Sequence, residues 1–180
     1  MRAFDAAVIG GGPAGSTAAL ALARAGLTVA VVEKAAFPRR KVCGEFISAT
    51  TWPLLRRLGV ARSLLAIAGP PVRRVGLYAG EAVVHAPMPT PADPDAWGRA
   101  LGREHLDQEL LDAAARTGAR VWQPCAVEAC EEDSGNWRIA LAEHSGARGE
   151  IRARVLVAAH GSWERGALAT QCARSPARAS

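Results

Sequence analysis

The sequence is poor in lysine and aromatic residues and lacks paired cysteine motifs, and these features exclude two classes of protein. Of the 22 basic residues only Lys34 and Lys41 are lysines, and aromatic residues make up 5% of the chain. The arginines are spread along the chain instead of clustering with aromatics on one helix or tail, so no nucleic-acid partner is expected. The four cysteines form no CxxC pair and no metal-ligand spacing with the four histidines, so no metal site is expected.

Long apolar runs are also missing. No stretch approaches the roughly 20 apolar residues that span a bilayer, so no transmembrane segment is expected. The apolar N-terminal run is broken by glycines and closes at an acid, which is not the pattern of a signal peptide. With 49% hydrophobic and 22% charged residues among 180, the composition predicts a globular, cytoplasmic protein in a reducing compartment.

The beginning of the chain has the pattern of a strand, a helix and a second strand. Residues 4–9 are an apolar strand, and three glycines follow directly. Residues 13–25 are rich in Ala and Leu and predict a helix that ends at Gly26. Residues 28–32 are an unbroken apolar run, which is typical of a parallel strand covered on both faces.

The glycines of this unit follow the spacing Gly10-x-Gly12-x-x-Gly15 between the strand and the helix. In such a motif the first glycine permits a tight turn, the second lets a pyrophosphate approach the backbone, and the third lets helix and strand pack closely. The helix start, with Pro13 and Ala14, directs N–H groups and the positive end of the helix dipole at the phosphates. These features predict a dinucleotide site.

An acid closes the second strand. Glu33 lies 23 positions after Gly10, where a carboxylate can accept hydrogen bonds from both ribose hydroxyls. The same charge repels a 2′-phosphate, so NADP is disfavoured in this site. The motif itself leaves FAD and NAD open, and an NAD-dependent dehydrogenase is therefore one alternative.

The remainder of the chain predicts further elements of both kinds. Ser48 is the expected N-cap of a helix that ends at Gly59. The other expected elements are a hairpin over 72–84, a helix over 103–117, strands over 120–130, 137–142 and 151–159, and a disordered tail over 167–180.

Together these elements predict an α/β fold of the Rossmann type, with a parallel central sheet and an antiparallel β insertion. The expected domain organisation is a βαβ unit with following helices over 1–70, part of a substrate-domain hairpin over 71–98, a continuation of the first domain over 99–166, and the tail.

Four segments resemble the glutathione-reductase-like FAD-binding fold in its p-hydroxybenzoate hydroxylase and geranylgeranyl reductase branch. They read VIGGGPAGSTAALALARAGLTVAVVEK, FPRRKVCGEFIS, GREHLDQELLDAAARTGARV and VLVAAHGSWE. The resemblance implies an FAD-dependent oxidoreductase, either a monooxygenase or a reductase, with NAD(P)H as a candidate reductant. It further implies an aromatic or prenyl-like small-molecule substrate, and it leaves contact with a membrane surface open.

The resemblance also implies roles for a loop after the acid. The loop that begins at Lys34 would run beneath the flavin, with Arg40 and Lys41 approaching the cofactor; solvated surface charge is the alternative for either residue. Cys43 and Gly44 match a Cys-Gly pair near the flavin or the substrate cavity, and Gly44 would allow close backbone approach. Cys43 is the candidate catalytic residue, and a small buried structural residue is its alternative.

Three later positions complete the implied site. Arg103 matches an arginine that reaches the FAD, and Val127 falls where family members touch the adenine through backbone atoms. Gly161 keeps the turn glycine of an Asp-Gly pair, but His160 stands where the hydroxylases have the aspartate. His160 is therefore either a turn residue or a functional histidine.

The second flavin-binding segment of this family has no counterpart after Gly161. The sequence is therefore expected to be the N-terminal half of a longer enzyme, which by itself binds FAD weakly or not at all and does not turn over. A noncatalytic remnant with the same fold is a second alternative.

Overall fold

A computed structural model gives the arrangement of residues 2–41, 43, 45–93 and 96–161. In chain order the elements are β1 (Arg2–Ile9), α1 (Pro13–Arg24), β2 (Val29–Val32), β3 (Phe46–Ile47), α2 (Trp52–Arg57), α3 (Ala61–Ile67), β4 (Arg74–Ala79), β5 (Ala82–Pro87), β6 (Arg99–Ala100), α4 (Arg103–Arg116), β7 (Arg120–Trp122), β8 (Cys125–Asp133), β9 (Asn136–Glu143) and β10 (Arg148–Ala158).

Six of these strands form one mixed sheet in the order β7-β2-β1-β10-β9-β8. β1 pairs in parallel with β2 and with β10, and β2 pairs in parallel with β7. β9 and β8 extend the sheet in the antiparallel sense. The predicted α/β fold with a parallel centre is confirmed, and so is the return of the last strand to that centre.

The buried centre of the sheet is built from small and β-branched residues. All four residues of β2 are buried, as the unbroken apolar run predicts for a strand with covered faces. On α1 the buried positions are Gly15, Ser16, Ala19 and Leu20, which recur at helical spacing. This packing fixes the start of α1 next to the end of β1.

Two sequence expectations are wrong in detail. The strand expected over 120–130 is two strands, because the chain breaks at Gln123 and Pro124 between β7, which pairs with β2, and β8, which pairs with β9. Ser48 does not cap α2; Thr51 holds that position without a side-chain cap bond, and the Ser48 hydroxyl lies 3.0 Å from the Thr51 hydroxyl. Pro in the first turn of α2 sets the later start, since it suits a helix N-terminus.

The contacts divide the described residues into two compact units. The first takes residues up to 37 and those from 110 onward, and the second takes residues 38–109. The second unit contains the predicted hairpin, formed by β4 and β5, together with α2, α3 and a short antiparallel pair of β3 with β6 that the sequence did not predict. The domain boundaries drawn from the sequence remain predictions, and the tail over 167–180 lies outside the described residues.

None of the helices in the described part of the chain combines the length and the apolar character needed to cross a bilayer. Within the same residues no group of His, Cys, Asp and Glu side chains could hold a metal ion. Cys43, Cys125 and Cys130 form no disulfide bond within this part of the chain.

Candidate functional site

A tight turn follows β1 and depends on two glycines. Gly10 has a φ of 108°, and its N–H donates to the carbonyl oxygen of Val32 at 2.8 Å. A Cβ on Gly10 would lie 2.4 Å from the carbonyl oxygen of Ala159, and a Cβ on Gly15 would lie 1.9 Å from that of Gly10. Only glycine satisfies both the backbone angle and these close approaches. Gly10 and Gly15 therefore join the turn, the last strand and α1.

Gly12 differs from the other two glycines of the motif. A Cβ built on it meets nothing within 4 Å, and its φ of −69° is open to any residue. Gly12 is therefore not required by the packing of this chain. Open space beside its backbone is what the approach of a phosphate group requires.

The start of α1 offers hydrogen-bond donors without a competing acid. Gly12 is the N-cap without a side-chain cap bond, Pro13 is at the helix start, and the first turn has no acidic residue. The N–H of Ser16 donates to Gly12 O at 2.9 Å, which is the first backbone bond of the helix. The N–H groups of Ala14 and Gly15 lie before it, in the first turn, where backbone N–H groups have no acceptor within the helix. They lie at the positive end of the helix dipole, which favours an anion.

Ser16 is a part of the turn that sequence reasoning missed. Its hydroxyl donates to Gly11 O at 2.7 Å, and the residue is fully buried. This bond holds the carbonyl of the glycine loop against α1. In the sequence, this role was indicated only by the presence of one serine among the small residues of the buried face of α1.

Glu33 holds the other side of the loop. The carboxylate is buried, with one oxygen accepting the N–H of Gly11 at 2.7 Å and the other accepting that of Ala35 at 2.9 Å. Glu33 therefore orders the glycine loop in addition to the ribose contact that the sequence predicts.

The end of β10 lies beside the same turn. The N–H of Ala159 donates to Ile9 O at 2.8 Å, and Gly161 has a φ of 103°, as expected for a turn glycine. His160 is partly buried, and among the described residues neither of its ring nitrogens has a hydrogen-bond partner.

The start of β8 is also near the acid. The N–H of Cys125 donates to the carbonyl oxygen of Glu33 at 2.8 Å. Val127, two residues farther along the strand, is partly buried and packs against the core of the sheet. Cys125 belongs to the buried core of the sheet, and burial raises the pKa of its thiol.

The second unit holds most of the residues assigned to the flavin side. Arg40 is 90% exposed, and its Nε lies 3.7 Å from a carboxylate oxygen of Glu104. Lys41 is partly buried and Cys43 is exposed, so the interpretation of Cys43 as a buried structural residue is wrong. Gly44 lies outside the described residues. Lys34, at the end of the first unit's segment, is exposed.

Arg103 is held by an acid of its own helix. Its Nε and one Nη donate to the two carboxylate oxygens of Asp107 at 2.8 and 2.9 Å, and Asp107 is 1% exposed. Hydrogen bonding to Asp107, above all, raises the pKa of Arg103, and a contact with Cys43 adds to it. The bidentate pair uses two of the five guanidinium N–H groups of Arg103, and Cys43 is a further side-chain partner of the remaining ones. The sequence could have predicted this ion pair from the i, i+4 spacing of Arg103 and Asp107 on one helix.

Comparison with protein families gives a match over almost the whole chain. The profile described as the FAD binding domain matches residues 3–175. Among curated proteins, the menaquinone reductase of Mycobacterium tuberculosis is 35% identical over 162 residues, which are 88% of this chain and 38% of that protein. Digeranylgeranylglycerophospholipid reductase 2 of Methanopyrus kandleri is 33% identical over 161 residues, 88% of this chain and 37% of that protein.

Solved structures give the same fold. The myxobacterial chondrochloren halogenase, an FAD-dependent halogenase, superposes with a TM-score of 0.80 at 26% identity, covering 92% of this chain and 39% of its own. The geranylgeranyl bacteriochlorophyll reductase-like protein of Thermoplasma acidophilum gives 0.73 at 26% identity, with 90% and 40% covered. The chain thus spans well under half the length of the relatives it matches.

Proposed function

The chain belongs to the FAD binding domain family, and from that premise we propose that it binds the adenosine diphosphate half of FAD at the glycine turn, as part of a flavin-dependent oxidoreductase. The observation that carries this proposal is the combination of open space at Gly12 with the buried Glu33 carboxylate on the same loop. FAD, when bound, supplies the hydride or electron transfer. The chain's own residues bind and orient it.

The residues of the turn fit the two polar parts of this ligand. The N–H groups of Ala14 and Gly15, at the start of the helix that Pro13 opens, would donate to the diphosphate. Glu33 would accept from the ribose hydroxyls, as an acid at the end of the second strand of such a unit does. Val127 would approach the adenine through its backbone, an assignment supported by the start of β8 beside Glu33.

The flavin side is assigned to the loop residues and to the helix of the second unit. We propose that Lys34, Arg40 and Lys41 place positive charge beside the cofactor, and that Arg103 donates to it from an N–H group outside its pair with Asp107. Cys43 and Gly44 would approach the flavin or the substrate, and Gly161 would keep the turn after β10. The exposure of Arg40 and Cys43 supports their availability to a ligand.

The names of the relatives support a proposal for the substrate class, and the reductant is the one that the sequence resemblance implies. One relative's name contains geranylgeranyl groups, which are prenyl chains, another's contains a quinone, and a third is a tryptophan halogenase. We propose an apolar prenyl-like or aromatic substrate, with NAD(P)H as the reductant. Location in the cytoplasm, with contact at a membrane surface to reach an apolar substrate, is part of the same proposal.

Ligand titration tests the proposal on the 180-residue chain. FAD and ADP are expected to bind weakly, because this chain carries only the adenosine diphosphate half of the site, and FMN is not expected to bind, because it lacks the adenosine diphosphate that the glycine turn recognises. Fluorescence quenching for the flavins and calorimetry for ADP give the affinities. Binding of FMN without ADP would contradict the assignment of this site.

A conservative substitution of Glu33 tests the contribution of its carboxylate to FAD affinity. Glu33→Gln keeps the shape of the side chain but turns an amide NH₂ towards one of the two backbone N–H donors, and it removes the charge. FAD affinity is expected to fall about tenfold or more, in line with the loss of a charge-assisted hydrogen bond. The exposed Glu81→Gln, on the turn of the hairpin, is the control and should leave the affinity unchanged.

Two alternatives make different predictions. A noncatalytic remnant differs from part of a working enzyme in the reading frame beyond Ser180, where only the working enzyme would continue into a second flavin-binding segment and a substrate domain. An NAD-dependent dehydrogenase would bind NAD in preference to FAD, and the match with the FAD binding domain favours FAD.

A further inference from the structure

The hairpin of the second unit has one side that is wholly apolar. Because side chains alternate between the two sides of a strand, this side carries three cross-strand pairs, which are Val75 with Ala86, Leu77 with Val84 and Ala79 with Ala82. All six residues are exposed, and Leu77 and Val84 keep 70% and 62% of their surface in contact with water. We call these six side chains the apolar face of the hairpin.

The opposite side of the hairpin is mixed in character, with Arg74, Gly76, Tyr78, Val83, His85 and Pro87. The rings of Tyr78 and His85 contact each other edge to face, with their centroids 6.1 Å apart. The apolar face has no polar side chain, so it is the side that gains more when another layer removes it from water. In the described part of the chain β4 and β5 pair only with each other, and a two-stranded hairpin needs such a layer to be stable.

The two ends of the hairpin carry opposite charges. Arg73 and Arg74 lie at the open end, where the chain enters β4, and Glu81 lies in the turn at the closed end; all three residues are exposed. When two such hairpins stack with their strands reversed, the open end of each lies over the closed end of the other. Basic residues then meet an acidic residue at both ends, while apolar face meets apolar face. The hairpin is therefore complementary to a second copy of itself, as a two-fold interface requires.

We propose that the apolar face is a self-association surface, on which the reversed hairpin of a second copy of this chain packs face to face. The interface does not involve the glycine turn and does not depend on a bound cofactor. A six-residue strand is about 20 Å long and the two strands lie about 5 Å apart, so two copies would bury roughly 700 Å² in total. Stable complexes bury about 1,200 Å² or more, and the dimer is therefore weak, with a Kd on the order of 100 μM.

Sedimentation of the 180-residue chain without FAD, over concentrations from about a tenth of this Kd to about ten times it, measures the dimer. Val83 and Val84 provide a matched pair of positions, since they are neighbours of one residue type, both exposed, on opposite sides of the hairpin. Val84→Lys is expected to weaken self-association at least about tenfold, because it places a charge in the centre of the apolar interface. Val83→Lys should leave the Kd within about threefold, because its side of the hairpin stays in water.

Charge reversal tests the orientation of the two copies. Arg74→Glu and Glu81→Arg are each expected to weaken self-association by a few-fold, the modest effect of exposed ion pairs. An equimolar mixture of the two variants should associate at least as well as the unmodified chain. In the mixture an acidic end of one variant meets a basic end of the other, whereas in each variant alone two ends of the same charge meet.

Leu77→Lys, at the position that pairs with Val84, gives a second measurement on the apolar face, and circular dichroism of the dilute variants checks that they fold. A chain that stays monomeric over the whole concentration range would overturn the proposal. So would equal effects of Val83→Lys and Val84→Lys, or a mixture of the charge variants that associates no better than either alone. Flotation of the unmodified chain with phosphatidylcholine–phosphatidylglycerol vesicles, lost in Val84→Lys, would assign the face to a membrane surface instead. Failure to bind FAD or ADP would contradict the proposed function and leave this interface unaffected.

Discussion

The central strands of the first unit and the hairpin of the second unit contain similar residues in opposite surroundings. β2 is Val-Ala-Val-Val, and all of its residues are buried between β1, β7 and the layers that cover them. All twelve residues of β4 and β5 are exposed, with Leu77 at 70% and Val84 at 62%. Strand composition is therefore a poor guide to burial; the covering layer decides whether apolar side chains leave water.

The hairpin nevertheless has an organised face. Its register pairs Val75 with Ala86, Leu77 with Val84 and Ala79 with Ala82, and alternation along each strand brings these six side chains to one side. Such a face contributes to stability only where another layer packs on it. The glycine turn of the first unit differs from this exposed face, because the backbone at Gly10 is in close contact both with the end of β10 and with the start of α1.

The largest expected effect on stability distinguishes Gly15, which the packing of the turn requires, from Gly12, which has open space beside it. Gly15→Ala would place a Cβ 1.9 Å from a backbone oxygen, and we expect a loss of about 3 kcal/mol or more in the free energy of unfolding, at the upper end for overpacking. Gly12→Ala meets no atom, so it should change stability by less than about 0.5 kcal/mol. Urea denaturation measures both.

The same pair of variants also bears on the ligand. Gly12→Ala should weaken FAD binding about tenfold, because the added methyl group occupies space that a phosphate needs. Unchanged FAD affinity in a stably folded Gly12→Ala variant would show that the diphosphate does not bind beside Gly12.

The next effect concerns the buried ion pair of the second unit. Arg103→Met leaves the Asp107 carboxylate buried without its two guanidinium bonds, and we expect a loss of about 2 to 3 kcal/mol, below the full cost of an unpaired buried charge because Arg103 is partly exposed. The double variant Arg103→Met, Asp107→Leu should recover part of that loss. If the double variant were less stable than the single one, burial of an uncompensated charge would not be the cause.

The smallest effects compare the two strand environments directly. Val31→Thr places a hydroxyl where the side chain is fully buried, and a loss of about 1 to 3 kcal/mol is expected. Leu77→Thr changes an exposed hairpin residue and should cost less than about 0.5 kcal/mol. Thermal denaturation of the two single variants is sufficient, and comparable losses would show that the hairpin face is covered in solution.

Local patterns predicted the dinucleotide unit well because its determinants are local. A glycine turn, a helix begun by proline and an unbroken apolar strand each follow from backbone preferences over a few residues, and β1, α1 and β2 lie within a few residues of their predicted bounds. The break at Pro124 was missed because residues 120–130 read as one β-rich run. The pairing of β3 with β6 was missed because two-residue strands have no periodicity.

The sequence by itself determined the βαβ unit, the glycine spacing and the presence of an acid at the end of the second strand. Only the tertiary structure decided that Glu33 holds Gly11, that Ser16 holds the same loop, that Asp107 takes two donors of Arg103, and that His160 packs on Gly10. The physical reason is distance along the chain. Helices and turns form from near neighbours, whereas Gly10 and His160 meet only because β10 returns to pair with β1.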